Sequence, residues 1–116
     1  MTTAIPPIIV IEDGGYIEVY PTVVEATRSV EAEDIPGGVE SAFDSTGLAL
    51  RFIAHGTTVS LEVVEGLPPD PLYVEELVRD FIDRLGAARL GLADLHELTL
   101  KSMLTALLHF ERGSEA

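Results

Sequence analysis

The sequence of 116 residues predicts an α+β fold: a mostly antiparallel five-stranded sheet with helices on one face, in the order ββαβββαα. Residues 8–20 and 39–65 show the alternation of apolar and polar side chains that is typical of strands. Residues 71–85 and 94–110 repeat apolar side chains at helical spacing. The length fits one domain over residues 1–116, with short flexible ends at about 1–6 and 113–116.

Residues 8–20 predict a β-hairpin. The first strand, residues 8–11, is apolar on both faces, which favours a position inside the sheet. Residues 13–15, Asp-Gly-Gly, suit a tight turn because glycine adopts positive φ angles readily. In the second strand Ile17 and Val19 share one face.

A first helix is predicted after Pro21. Thr22 is expected to cap the helix by accepting a hydrogen bond from the backbone N–H of Glu25, in a capping box. Residues 35–38, Ile-Pro-Gly-Gly, end the helical pattern. The stripe expected to face the sheet consists of Val23, Ala26, Thr27 and Val30.

Residues 39–65 predict a three-stranded meander. Short turns are expected at residues 44–47 and 55–56. Residues that pair directly share a face, so the register that keeps the apolar side chains together is favoured. The expected cross-strand partners are Phe43 with Leu48, Glu40 with Arg51, Phe52 with Val59 and Leu50 with Leu61.

Two helices are predicted to close the chain. Asp70 is expected to cap the first, with Pro71 at its first position. Residues 86–91 break the pattern, residues 94–97 restart it, and the last helix runs to Phe110. The buried stripe of the first of these helices is expected to be Val74, Leu77, Val78, Phe81, Ile82 and Leu85, with Glu75 and Asp80 placed to pair with Arg79 and Arg84.

The last helix carries more apolar surface than docking on a sheet requires. Its apolar side chains span an arc of roughly 160° at 100° per residue. The excess surface needs either the preceding helix or a second chain as its partner. In the second case the chain is a homodimer whose contact residues are Leu100, Met103, Leu104 and Leu107.

Charge and composition exclude several classes of protein. Seven Lys and Arg against 20 Asp and Glu give a net charge of −13, which argues against binding a nucleic-acid backbone. The chain has no Cys, so disulfides and thiolate metal sites are absent. No apolar run approaches the roughly 20 residues of a membrane span, and residues 1–11 lack the Lys or Arg of a secretory signal. We therefore expect a cytoplasmic protein without a membrane partner.

Sequence motifs for catalysis are missing. The only Lys, Lys101, follows Leu100, so there is no phosphate-binding G-x-x-x-x-G-K-[ST] loop. His96-Glu97 begins like a zinc-protease motif, but Leu100 stands where the second His would be required. We therefore expect no catalytic residue, metal or cofactor, and no enzymatic activity.

Three segments carry a resemblance to known proteins. Residues 10–15 (VIEDGG), 21–26 (PTVVEA) and 39–47 (VESAFDSTG) resemble the corresponding strand hairpin, acidic helix and strand of small bacterial acidic α+β proteins of the immunity-protein type. The resemblance covers about residues 8–65. It implies a compact α+β protein that neutralises a toxin by binding it, and it assigns a role to no single residue.

Three hypotheses for the function follow. The first is a non-catalytic binding module, an immunity-type inhibitor of a basic toxin or nuclease, although the same acidic surface also serves solubility. The second is a homodimeric structural or adaptor protein. The third is a small-ligand-binding protein or enzyme with a pocket between sheet and helices that uses His55 or His96. The first hypothesis predicts that the partner contacts Glu12, Asp13, Tyr16, Glu18, Tyr20, Glu31, Glu33, Asp34 and Glu40.

Overall fold

The computed structural model describes residues 3–12, 16–29, 41–86 and 98–113. Within them the chain forms five strands and three helices. The strands are β1 (Ile8–Ile11), β2 (Ile17–Tyr20), β3 (Ser41–Phe43), β4 (Ala49–His55) and β5 (Thr58–Val63), and the helices are α1 (Val23–Arg28), α2 (Pro71–Leu85) and α3 (Leu100–Gly113). The chain order and the α+β class are those that the sequence predicts.

The sheet has the strand order β2-β1-β3-β4-β5, and every described pair of neighbouring strands is antiparallel. β1 and β2 form the expected hairpin, and β3, β4 and β5 form the expected meander. β1 lies between β2 and β3, which confirms the interior position inferred from its apolar residues. Among the described residues no helix is long and apolar enough to cross a bilayer.

The register between β3 and β4 differs from the expected one by one residue. Phe43 lies opposite Ala49 rather than Leu48. Leu48 belongs instead to the turn, where its backbone N–H donates to the Asp44 carboxylate at 3.0 Å and its carbonyl accepts from the Asp44 N–H at 3.0 Å. The expected pairing of Glu40 with Arg51 involves a residue that lies outside the described part of the chain.

The register between β4 and β5 differs by two residues. Phe52 lies opposite Leu61 rather than Val59. The reason is the turn, which is centred on residues 56–57 because His55 pairs with Thr58 and Gly56 takes a φ of 65°. A shift of two preserves the face on which each side chain lies, so the apolar set stays together. Leu50 is consequently opposite Val63 rather than Leu61.

Two apolar clusters occupy the two faces of the sheet, so the expectation that the helices cover one face is wrong. One cluster joins Ile9 of β1 to α2 and α3. The other joins Ile8 and Val10 of β1 to Ala26 of α1. Ile8, Ile9 and Val10 of β1 are buried on both faces of the sheet, so each face needs a cover, and α1 supplies the second one.

Helix α1 is capped as predicted but is shorter than expected. The Glu25 N–H donates to Thr22 Oγ1 at 3.1 Å. The helix ends at Arg28, where the Ser29 N–H and hydroxyl both donate to the carbonyl of Ala26. Val30 and the expected stop at residues 35–38 lie outside the described residues.

The caps of α2 and α3 fix where these helices begin. Asp70 caps α2 as predicted, accepting from the Tyr73 N–H at 3.1 Å. Residues 94–97, the expected start of the last helix, lie outside the described residues. The described helix α3 begins at Leu100, and Thr99 caps it by accepting from the Ser102 N–H at 3.1 Å.

Candidate functional site

Four of the nine predicted contact residues are described: Glu12, Tyr16, Glu18 and Tyr20. They belong to the β1–β2 hairpin, and the structure places Tyr16 on one face of it and Glu18 and Tyr20 on the other. The other five lie outside the described residues: Asp13, Glu31, Glu33, Asp34 and Glu40.

Tyr16 lies on the face covered by α2 and α3. Its carbonyl accepts a hydrogen bond from the Glu12 N–H at 2.8 Å, which closes the hairpin. Its ring meets Phe81 of α2 edge to face, with the ring centroids 5.2 Å apart. Because 51% of the residue remains exposed, Tyr16 is both a packing residue and an accessible aromatic surface.

Tyr20 and Glu18 lie on the opposite face. Tyr20 packs against the cluster that contains Ala26 of α1, and its hydroxyl donates to the Glu18 carboxylate. Simple alternation would put Tyr16 on the same face as these two residues. Tyr16 precedes the first residue of β2, however, so the alternation of side chains along the strand does not fix the side of its ring. The ring contacts Phe81 instead. The two tyrosines therefore do not form one binding surface.

The four α3 side chains considered as dimer contacts are core residues of the single chain. They belong to the apolar cluster that also contains residues of α2 and Ile17 and Val19 of β2. The apolar surface of the last helix is therefore covered within the same chain, by α2 and β2, rather than by a second chain. A dimer formed without unfolding would need other residues than the buried Leu100, Met103, Leu104 and Leu107.

Asp44 is a buried carboxylate whose role the sequence does not predict. Its Oδ1 accepts from the Thr46 N–H, the Thr46 hydroxyl and the Leu48 N–H, and its Oδ2 accepts from the Ile5 N–H. These bonds hold the turn between β3 and β4 and attach the N-terminal segment to it. With every bond directed to neighbouring backbone or to Thr46, Asp44 has a structural role in this turn.

The histidines give little support for a ligand pocket within the described part of the chain. His55 is exposed at the end of β4, with its Nε2 3.0 Å from the Ser60 hydroxyl. His109 borders an open depression of about 230 Å³ beside Leu108 and Pro21. His96 lies outside the described residues. Among residues 3–12, 16–29, 41–86 and 98–113, no three His, Asp or Glu side chains are grouped to hold a metal ion.

The structure adds a surface that sequence patterns did not reveal, at the start of α2. Ile5, Leu67, Leu72 and Tyr73 each expose half or more of their surface there. The sequence signal in this region is the Asp70 cap followed by Pro71, which predicts the helix start but not the exposure of the apolar side chains around it. We call this surface the α2 N-terminal patch and define it as Ile5, Leu67, Leu72 and Tyr73 together with the exposed acids Glu65 and Glu76.

Comparison with known proteins gives a partial likeness. No model of a protein family matches the chain, and no solved structure matches it. The chain is similar to the GTPase Obg of Rhizorhabdus wittichii, with 33% identity over 82 residues, which is 69% of this chain and 23% of that protein. The chain therefore spans less than a quarter of the length of that relative. It has no G-x-x-x-x-G-K-[ST] sequence of the kind that binds nucleotide phosphates.

Proposed function

We propose that the chain is a non-catalytic acidic protein-binding module that blocks a basic protein, in the manner of an immunity protein that neutralises a basic toxin or nuclease. The observation that carries the proposal is the distribution of charge. Residues 1–78 contain 14 acids and 2 Lys or Arg, a net charge of −12, whereas residues 79–116 contain 6 acids and 5 Lys or Arg, a net charge of −1.

The described ion pairs support this proposal. Arg79 pairs with Glu75 at 2.6 Å, and Arg84 pairs with Asp80 at 3.4 Å. In each of these two pairs the arginine and the acid belong to the same helix, α2. A surface with so much negative charge attracts a cationic protein over distances of about 10 Å and accelerates its association.

Retaining this charge also carries a cost in stability, which favours a functional reason for it. Neighbouring like charges destabilise a helix or strand pair by a few tenths of a kcal/mol each. A cationic partner removes that repulsion when it binds. Charge complementarity of this kind speeds encounter and selects among partners.

The proposal predicts that a basic toxin or nuclease domain is encoded beside the gene of this chain, and it is tested by coexpressing the full chain with that domain. We expect the chain to restore growth of cells that produce the toxic domain, and the two purified proteins to elute together from a sizing column. Toxicity that is unchanged when the chain is in large excess, with no complex on the column, would contradict the proposal.

A further inference from the structure

The α2 N-terminal patch combines exposed apolar side chains with acids at its border. Leu72 is 71% exposed, and Ile5, Leu67 and Tyr73 are 50–54% exposed. We infer that this patch is the contact surface for the partner, and that the partner presents a basic protein surface with apolar groups of its own. The inference rests on the proposed function and assigns the contact to a surface other than the β1–β2 hairpin.

The turn at residues 44–47 links Ile5 to the start of α2, the helix that carries Leu72 and Tyr73. Ile5 is fixed to this turn because its N–H donates to Asp44 and its carbonyl accepts from the Ser45 N–H and hydroxyl. On the other side of the turn, the Asp70 N–H donates to the Gly47 carbonyl at 3.0 Å. The start of α2 is thereby attached to the same support as Ile5.

The patch is also rigid, which lowers the entropy that binding costs. Three prolines at positions 68, 69 and 71 restrict the connector between Leu67 and Leu72. The ring of Tyr73 is oriented by edge-to-face contact with Phe43, at a centroid distance of 5.9 Å. Half-exposed tyrosines that are already held in place are frequent anchors of protein interfaces.

The charge around the patch selects the class of partner. Residues 62–76 contain five acids. Three of them have other contacts: Glu62 lies opposite Arg51 of β4, Asp70 caps α2, and Glu75 pairs with Arg79. The other two, Glu65 and Glu76, are exposed and supply the charge of the patch. Glu76 follows Leu72 by four positions and Tyr73 by three on α2, so all three lie on one face of the helix. Lys and Arg fit such a surface because their aliphatic stems cover apolar groups while their charged ends reach the carboxylates, and because a cation binds the face of a tyrosine ring.

The same charge argues against a second copy of this chain as the occupant. Two identical patches would bring Glu65 and Glu76 of both chains together, and like charges across an interface are unfavourable. A basic partner removes this repulsion, so we commit to that partner.

The test uses the full chain labelled with ¹⁵N and a synthetic amphipathic helix of Lys and Leu as the basic probe. We expect saturable shifts of the amide signals at residue 5 and residues 65–76. A peptide of the same charge in which Ser replaces Leu should bind at least about fivefold more weakly, because the apolar contact is lost.

Matched variants separate the patch from the rest of the acidic surface. Leu72→Ser should raise the Kd for the Lys-Leu peptide at least about fivefold, and the double variant Glu65→Gln/Glu76→Gln about threefold at low salt. The controls are Val24→Ser, a residue on α1 that is 56% exposed, and Asp83→Asn, an exposed acid near the end of α2. Both controls should leave the Kd within about twofold of the wild-type value.

Four outcomes would overturn the inference. With peptide, these are amide shifts confined to the hairpin residues 12 and 16–20, equal binding of the Lys-Ser peptide, or no binding of either peptide. Without peptide, the fourth is a shift of the amide signals of the patch that depends on protein concentration. The last outcome would identify a second copy as the occupant. None of them decides the proposed function, because the growth assay with the toxic partner measures that separately. Rescue of growth together with shifts confined to the hairpin would retain the function and reject this patch.

Discussion

Single residues connect the sheet to the start of α2, and the clearest example is Gly47. Its φ of 87° lies in the left-handed region that side chains disfavour. A Cβ at this position would lie 2.5 Å from the backbone carbon of Asp70 and from the backbone nitrogen of Pro71. Glycine is therefore required both by the turn conformation and by the close approach of the α2 start.

Replacing Gly47 by Ala should destabilise the fold by about 3 kcal/mol, because the backbone conformation is strained and the start of α2 must move. Gly66→Ala is the matched control. Gly66 has a similar φ of 83° but open space around its Cβ position, so only the strain of about 1 kcal/mol applies. Urea unfolding of the two variants measures the difference, and equal losses of stability would contradict the proposed close packing at Gly47.

The predictable features of single residues are those set by local sequence. Thr22 and Asp70 act as helix caps as expected, because a cap needs only a short polar side chain three residues before the N–H that it accepts from. The role of Asp44 was not predicted because one of its four bonds reaches Ile5, 39 residues away in the sequence. The exposure of Leu72 likewise depends on how α2 docks, which local pattern does not determine.

At the scale of elements, alternation predicts the faces of the strands better than their register. Phe52 and Leu61 share a face as expected, although each pairs with a different residue than predicted. The predicted registers are wrong by one and by two residues, and both errors arise at the turns. In the first turn the Asp44 carboxylate binds the Leu48 N–H, and in the second the chain reverses at Gly56 rather than at His55. Turn geometry follows from side-chain hydrogen bonds and φ values, which hydropathy does not encode.

Helices α2 and α3 are joined by a hydrogen bond as well as by their apolar cluster. Arg79 of α2 binds Glu75 and also donates to the carbonyl of Leu98 at 2.9 Å, two residues before α3 begins. This bond holds the N-terminal end of α3 near the middle of α2. Both side chains of the Arg79–Glu75 pair are about three-quarters buried, which makes it stronger than an exposed surface pair.

The variant Arg79→Met keeps the aliphatic volume and removes both bonds. We expect a loss of about 1–2 kcal/mol in the free energy of unfolding and faster hydrogen exchange at the first amides of α3, including that of Met103. Lys101→Met is the control, since it removes one positive charge from an exposed position of α3 and should change stability by no more than about 0.5 kcal/mol. If the first amides of α3 exchange at equal rates in the two variants, Arg79 does not hold the N-terminal end of α3 against α2.

At the scale of the whole molecule, the fold accounts for how the chain tolerates its charge. Both faces of β1 are buried in separate clusters, so the apolar side chains that stabilise the fold lie on both sides of the sheet. The acids can then remain at the surface without being needed for packing, with the buried Asp44 as an exception among the described residues. The α2 N-terminal patch contains both exposed acids and exposed apolar side chains.

The measurement that tests the central claim most directly is the association rate of the full chain with the proposed basic protein partner at different salt concentrations. If the acidic surface attracts the partner, the association rate constant should fall at least about tenfold between roughly 50 and 500 mM NaCl, while the dissociation rate changes much less. An association rate that stays constant over this range would contradict an electrostatic role for the net charge of −13.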